Sequence, residues 1–127
     1  MTILKTSRIL IVEDDPNMGD ALTHFIKSNG YSPCGIATSG EKALEIIRKT
    51  PPDLVFIDVM LEGQMNGIQL AQRINDEIGI PFIFITACSD PQMIEDLIHT
   101  RRCALIMKPF VLDELKTAVR MALKRSA

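Results

Sequence analysis

Five polar residues stand where apolar runs end. Glu13 and Asp14 follow Arg8-Ile9-Leu10-Ile11-Val12, and Asp58 interrupts Leu54-Val55-Phe56-Ile57-Asp58-Val59-Met60. Thr86 closes Ile80-Pro81-Phe82-Ile83-Phe84-Ile85, and Lys108 follows Ala104-Leu105-Ile106-Met107. A buried strand has no need of an aspartate at its carboxyl end, so Asp58 is the residue to explain. The plain reading is a solvated aspartate at a strand-to-loop boundary. If a fold gathers the three carboxylates, they repel one another, by on the order of 4 kcal/mol for two like charges at about 4 Å and an effective dielectric of 20. Lys108 supplies one compensating charge, and a hard divalent cation with oxygen ligands supplies the rest. Mg²⁺ suits a few carboxylates together with waters and a phosphoryl oxygen. A carboxylate beside Mg²⁺ and a lysine, with a hydroxyl nearby, is a nucleophile for a phosphoryl group, and the product is an acyl phosphate on Asp58.

The segments between these runs have helical spacing. Asp15 caps a helix opened by Pro16, with Met18, Ala21, Leu22, Phe25 and Ile26 on one stripe and Asn29-Gly30 as its end. A weaker strand over 33–38 precedes Ser39, the cap of a helix to about Lys49 with Ala43, Leu44 and Ile47 inward. After Asp58, the glycines of Leu61-Glu62-Gly63-Gln64-Met65-Asn66-Gly67 mark a loop. A helix from about Ile68 to Glu77 follows, with Leu70, Ala71 and Ile74 facing the core. Ser89-Asp90-Pro91 starts a helix carrying Met93, Ile94, Leu97 and Ile98. The last helix begins after Phe110 and places Leu112, Leu115, Val119 and Ala122 on one face. Fully apolar strands alternating with helices predict an α/β fold, an open parallel sheet covered on both faces. The ligand site of such a sheet lies outside the carboxyl ends of its strands, near the point where strand order reverses. Those ends carry the five residues above.

A length of 127 residues fits one domain. The chain is 46% hydrophobic and 24% charged, which excludes disorder, and its net charge of -2 gives no field for nucleic acid or anionic membrane. Arg101-Arg102 and Lys124-Arg125 read as a solvated rim. The start, Met1 to Lys5, lacks the apolar core of a signal peptide, and no run approaches the roughly 20 residues that span a bilayer, so a cytoplasmic location is expected. Cys34, Cys88 and Cys103 lack zinc or disulfide spacing and read as small core residues. His24 and His99 read as surface histidines, and the seven methionines as packing residues. Two rival chemistries fit poorly. A flavin phosphate would be repelled by Glu13-Asp14-Asp15, and a haloacid-dehalogenase-like phosphatase wants an aspartate where Met60 stands.

Ile9-Leu10-Ile11-Val12-Glu13-Asp14-Asp15, Asp58-Val59-Met60-Leu61 with Asn66-Gly67, Thr86-Ala87 and Lys108-Pro109-Phe110 together resemble the receiver domain of two-component response regulators. The resemblance runs through nearly the whole chain. It implies a flavodoxin-like doubly wound (βα)5 fold with a five-stranded parallel sheet in the order 2-1-3-4-5. Residues 1–127 form a single receiver domain on this reading, with a core of about 7–124 and no output domain. Asp58 accepts a phosphoryl group from a sensor histidine kinase or a phosphotransfer protein. Glu13, Asp14, Asp58 and the Met60 backbone carbonyl hold Mg²⁺, with Mn²⁺ as a substitute. Lys108 and Thr86 contact the phosphoryl oxygens, and Lys108-Pro109 is a cis peptide. Phosphorylation biases two conformations toward a downstream protein target, with a homodimer through the face of the fourth helix, fifth strand and fifth helix as a further implied partner. No direct nucleic-acid or membrane contact is implied, and no enzymatic activity beyond assisting the domain's own phosphorylation and dephosphorylation.

The chain departs from this pattern in places. Leu105 stands where many receivers have an aromatic residue, and it presents no phenolic oxygen or flat surface. Arg101-Arg102-Cys103-Ala104 lacks the usual Gly-Ala start. Glu62-Gly63 replaces Pro-Gly in a loop one residue longer. Met60 and Cys88 flank the site with apolar side chains, which implies slow self-dephosphorylation. A phosphorylation-independent interaction module is the alternative that Leu105 keeps open. A Mg²⁺-dependent phosphatase lacks a positioned general acid.

Overall fold

The computed structural model describes residues 6–87, 90–98 and 103–126. Strands and helices alternate throughout: β1 (Arg8–Val12), α1 (Pro16–Ser28), β2 (Ser32–Ala37), α2 (Gly40–Lys49), β3 (Leu54–Ile57), α3 (Gly67–Glu77), β4 (Phe82–Thr86), α4 (Pro91–Ile98), β5 (Cys103–Met107) and α5 (Leu112–Ser126). The strands pair in parallel in the order β2-β1-β3-β4-β5. This is the doubly wound arrangement expected from the alternation and the resemblance. Among the described residues no helix is long and apolar enough to cross a membrane.

The central strands β1, β3 and β4 are almost entirely apolar because alternate residues enter different cores. Leu10, Val12, Val55, Ile57, Phe82 and Phe84 pack with Ala43, Leu44 and Ile47 of α2 and Ile68, Leu70, Ala71 and Ile74 of α3. Ile9, Ile11, Leu54, Phe56, Ile83 and Ile85 pack with Leu22, Phe25 and Ile26 of α1 and Leu115 and Val119 of α5. Helix starts follow the capping residues. Asp15 accepts from the Asn17 N–H ahead of Pro16, Ser39 accepts from the Lys42 N–H, and Asn66 and Gln69 form a reciprocal capping box on α3.

Several expected core positions face water instead. Ala21 is exposed, and Gly19 takes the buried place on α1 beside Ile36. Leu112 is 58% exposed at the start of α5, whereas Leu115 and Val119, further along the same face, are fully covered. Met60, Met107 and Met121 are exposed, so the methionines are not all packing residues; Met18, Met65 and Met93 do pack against the cores. β3 stops at Ile57 and β4 begins at Phe82, after Pro81, which has no N–H to extend the ladder. Cys34 packs half-buried against the core, and burial pushes its thiol upward, as fits a small core residue. His24 is exposed. Cys88, His99, Arg101, Arg102 and the side chain of Cys103 lie outside the described residues.

Candidate functional site

The chain runs from β1 out to β2 and returns to β3 on the other side, so the carboxyl ends of β1 and β3 border the crevice where strand order reverses. Backbone pairing continues one residue past the strands and sets the site residues side by side. The Glu13 N–H donates to the Ala37 carbonyl at 2.9 Å, the Asp58 N–H to the Val12 carbonyl at 3.0 Å, and the Lys108 N–H to the Thr86 carbonyl at 2.9 Å. Lys108-Pro109 is cis.

Glu13, Asp58 and Thr86 are buried, while Asp14 is half-buried and Asp15, exposed, caps α1. Lys108 Nζ bridges the two buried acids, 2.7 Å from Glu13 Oε1 and 2.8 Å from Asp58 Oδ2. The remaining carboxylate oxygens accept backbone donors: Glu13 Oε2 from the Asp15 N–H at 3.2 Å and Asp58 Oδ1 from the Met60 N–H at 3.1 Å. All four oxygens are thus partnered, as buried charge requires.

Burial pushes the Glu13 carboxyl up from its ordinary 4.5 to about 7, and the carboxylate of Asp58 adds to the rise although Lys108 opposes it. Burial also works against the Lys108 charge, but its hydrogen bonds to Asp58 and Glu13 outweigh that cost and raise its pKa. One lysine therefore leaves negative charge uncompensated at this end of the sheet. One oxygen from each of Glu13, Asp14 and Asp58 lies within 4.8 Å of the others, a hard oxygen donor set that fits a small divalent cation. Beside it opens a cleft of about 420 Å³ lined by Asp58, Met60, Thr86 and Lys108 together with Ala87, Asp90 and Met93. A buried carboxylate, a lysine ammonium and a hydroxyl residue thus share one cleft.

Residues 9–120 match the sequence profile of the response regulator receiver domain. The chain belongs to that family. It is 35% identical over 119 residues to the DNA-binding response regulator MtrA of Mycolicibacterium smegmatis, covering 94% of this chain and 51% of that protein. It is 34% identical over 122 residues to the transcriptional regulatory protein BaeR of Escherichia coli, covering 94% and 49%. This receiver thus spans about half the length of the curated relatives it matches. Among solved structures, the signal receiver domain of a modulated diguanylate cyclase from Desulfovibrio desulfuricans superposes with a TM-score of 0.89 at 28% identity, covering 95% of this chain and 96% of that one. The N-terminal domain of a response regulator/sensory box/GGDEF protein from Carboxydothermus hydrogenoformans gives 0.83 at 32%, covering 94% and 95%.

All five of the polar strand-end residues identified in the sequence fall in this receiver's cluster or its cleft. Asp90 and Met93 were not anticipated as cleft residues, since nothing in their spacing relates α4 to the ends of β3 and β5. The role of Gly67 was also not apparent. A Cβ there would collide with the Asp58 carbonyl and stand 2.8 Å from Val59 Cα, so the start of α3 rests directly on the backbone of the site. The Asn66-Gly67 dipeptide was the available signal.

Proposed function

We propose that this receiver domain, over residues 1–127 with its core at about 7–124, accepts a phosphoryl group on Asp58 with Mg²⁺ bound. The observation that carries the reading is the Lys108 bridge between Glu13 and Asp58, at 2.7 and 2.8 Å, inside a three-carboxylate cluster. Glu13, Asp14, Asp58 and the Met60 carbonyl would hold Mg²⁺, or Mn²⁺ in its place. When bound, the cation supplies neutralisation of charge on the phosphoryl oxygens. An Asp58 carboxylate oxygen attacks phosphorus, forming the P–O bond while the bond to the donor nitrogen of a phosphohistidine breaks and its electron pair returns to the imidazole. Lys108 keeps a cation within reach of the product, and Thr86 on the cleft wall offers a hydroxyl to a phosphoryl oxygen.

The donor is a sensor histidine kinase or a phosphotransfer protein, and the output is contact with a downstream protein or a second copy through α4, β5 and α5. The domain acts in the cytoplasm, without direct nucleic-acid or membrane contact of its own and without catalysis beyond its own phosphorylation and dephosphorylation. Incubation with Mg²⁺ and acetyl phosphate, followed by intact-mass measurement, tests the reading. A single phosphoryl adduct that is absent in Asp58→Asn is the expected result. No adduct while a partner still binds would replace it with a phosphorylation-independent module.

A further inference from the structure

We propose that Glu41, in the first turn of α2, is a positioning residue for the loop that leaves Asp58. The inference rests on the Mg²⁺-dependent reading above, because part of its consequence is read at that site. The loop between β3 and α3 curls around the Glu41 carboxylate. Glu41 Oε1 accepts the Met65 N–H at 3.0 Å. Gly63, at φ 90°, brings its backbone against the other oxygen, so that a Cβ there would lie 2.9 Å from Oε2. Ser39, the cap of α2, forms a parallel bridge with Glu62, and Met65 packs against the core that includes Ala43 of α2. At the far end of the same helix pair, Arg48 Nη2 lies 2.8 Å from Glu77 Oε2.

The other end of this loop is the site itself. The Met60 N–H holds Asp58 Oδ1 at 3.1 Å, and the Met60 carbonyl is the backbone ligand proposed for the cation. A loop released at 62–65 therefore loosens both the orientation of the phosphoacceptor and the placement of that carbonyl. Gly63, with no side chain to limit its backbone, gives the loop a freedom that a tether at Glu41 restrains.

Three variants test the tether: Glu41→Ala, Glu41→Gln, whose amide oxygen still accepts from Met65, and Arg48→Ala, which cuts the α2–α3 tie far from the site. In metal-free protein, amide hydrogen exchange across residues 60–65 is expected to quicken in Glu41→Ala, to stay near wild type in Glu41→Gln, and to be unchanged in Arg48→Ala. Calorimetric titration with Mg²⁺ is expected to show a dissociation constant raised roughly three- to tenfold in Glu41→Ala, the effect of losing one hydrogen bond, and restored by Gln. Wild-type exchange and wild-type Mg²⁺ affinity in Glu41→Ala would overturn the proposal, and so would equal losses in Glu41→Ala and Arg48→Ala. If wild-type protein takes neither Mg²⁺ nor a phosphoryl group, the site reading fails instead, and exchange at Met65 still decides the tether.

Discussion

The ends of β1 and β3 and the outer face of β5 lie only two or three strands apart, yet they hold their side chains by different means. At the centre, Glu13 and Asp58 are buried, every carboxylate oxygen has a donor, and one lysine joins the two. At the edge, Leu105 and Met107 are 38% and 44% exposed, while their neighbours Ala104 and Ile106 turn inward to the core. A central strand end has a neighbour on each side, and buried charges there must compensate one another. An edge strand pairs with one neighbour only, and its outward residues carry no such obligation. A change at the centre should therefore spread through the site, whereas the outward side chains of the edge strand can vary without disturbing the centre.

The largest expected effect is complete. Asp58→Asn should abolish the phosphoryl adduct seen by intact mass with acetyl phosphate and Mg²⁺, and an adduct that moves to Glu13 or Asp14 would show that the central residues are interchangeable. Lys108→Met leaves two buried carboxylates without their cation. Urea unfolding of the metal-free protein at about pH 8 should show a loss on the order of 3 kcal/mol, partly recovered with Mg²⁺. A loss below about 0.5 kcal/mol, the scale of ordinary surface changes, would make the centre as tolerant as the edge. Gly67→Ala drives a methyl group into the Asp58 backbone and should cost about 1–3 kcal/mol in thermal unfolding, with weaker Mg²⁺ binding alongside.

The pH dependence is subtler. The folded-state value of Glu13, about 7, lies above its ordinary 4.5, so its contribution to stability is full below pH 4.5 and is lost as pH rises through 7. Lys108 is also raised, and its contribution holds below its ordinary 10.5 and is lost above it. Metal-free stability should thus fall across the window from 4.5 to 7 while Mg²⁺ affinity climbs, because a ligand must shed its proton. Calorimetry in two buffers of different ionisation enthalpy should find more proton release at about pH 6 than at about pH 8; affinity that is flat over that interval contradicts the assignment. The smallest effect belongs to the edge. Leu105→Tyr should change stability by no more than about 0.5 kcal/mol and leave the rate of phosphorylation by acetyl phosphate as it was. A clear change in that rate would mean the edge is coupled to the centre after all.

Much of the site was legible because strand ends announce themselves. Apolar runs long enough to be buried end at Glu13, Asp58, Thr86 and Lys108, and a parallel sheet brings such ends to one edge. Asp15 and Ser39 were equally plain, since a capping side chain acts within three residues of itself, whereas the cap at Asn66 lay hidden in the stretch that its glycines marked as loop. Exposure was harder to read. Ala21 and Leu112 fit a helical stripe by spacing, but a stripe does not say how far the sheet extends beneath it.

The order of residues along this chain determined its alternation of strands and helices, the caps that start the first two helices, and which polar residues close the strands, because each depends on neighbours a few positions away. Tertiary structure decided what those residues do to one another. Lys108 reaches Glu13 and Asp58 from 95 and 50 positions along the chain, and Glu41 holds Met65 from 24. Such contacts depend on strand order and on how closely helices approach, and those follow from packing the whole core rather than from any local pattern.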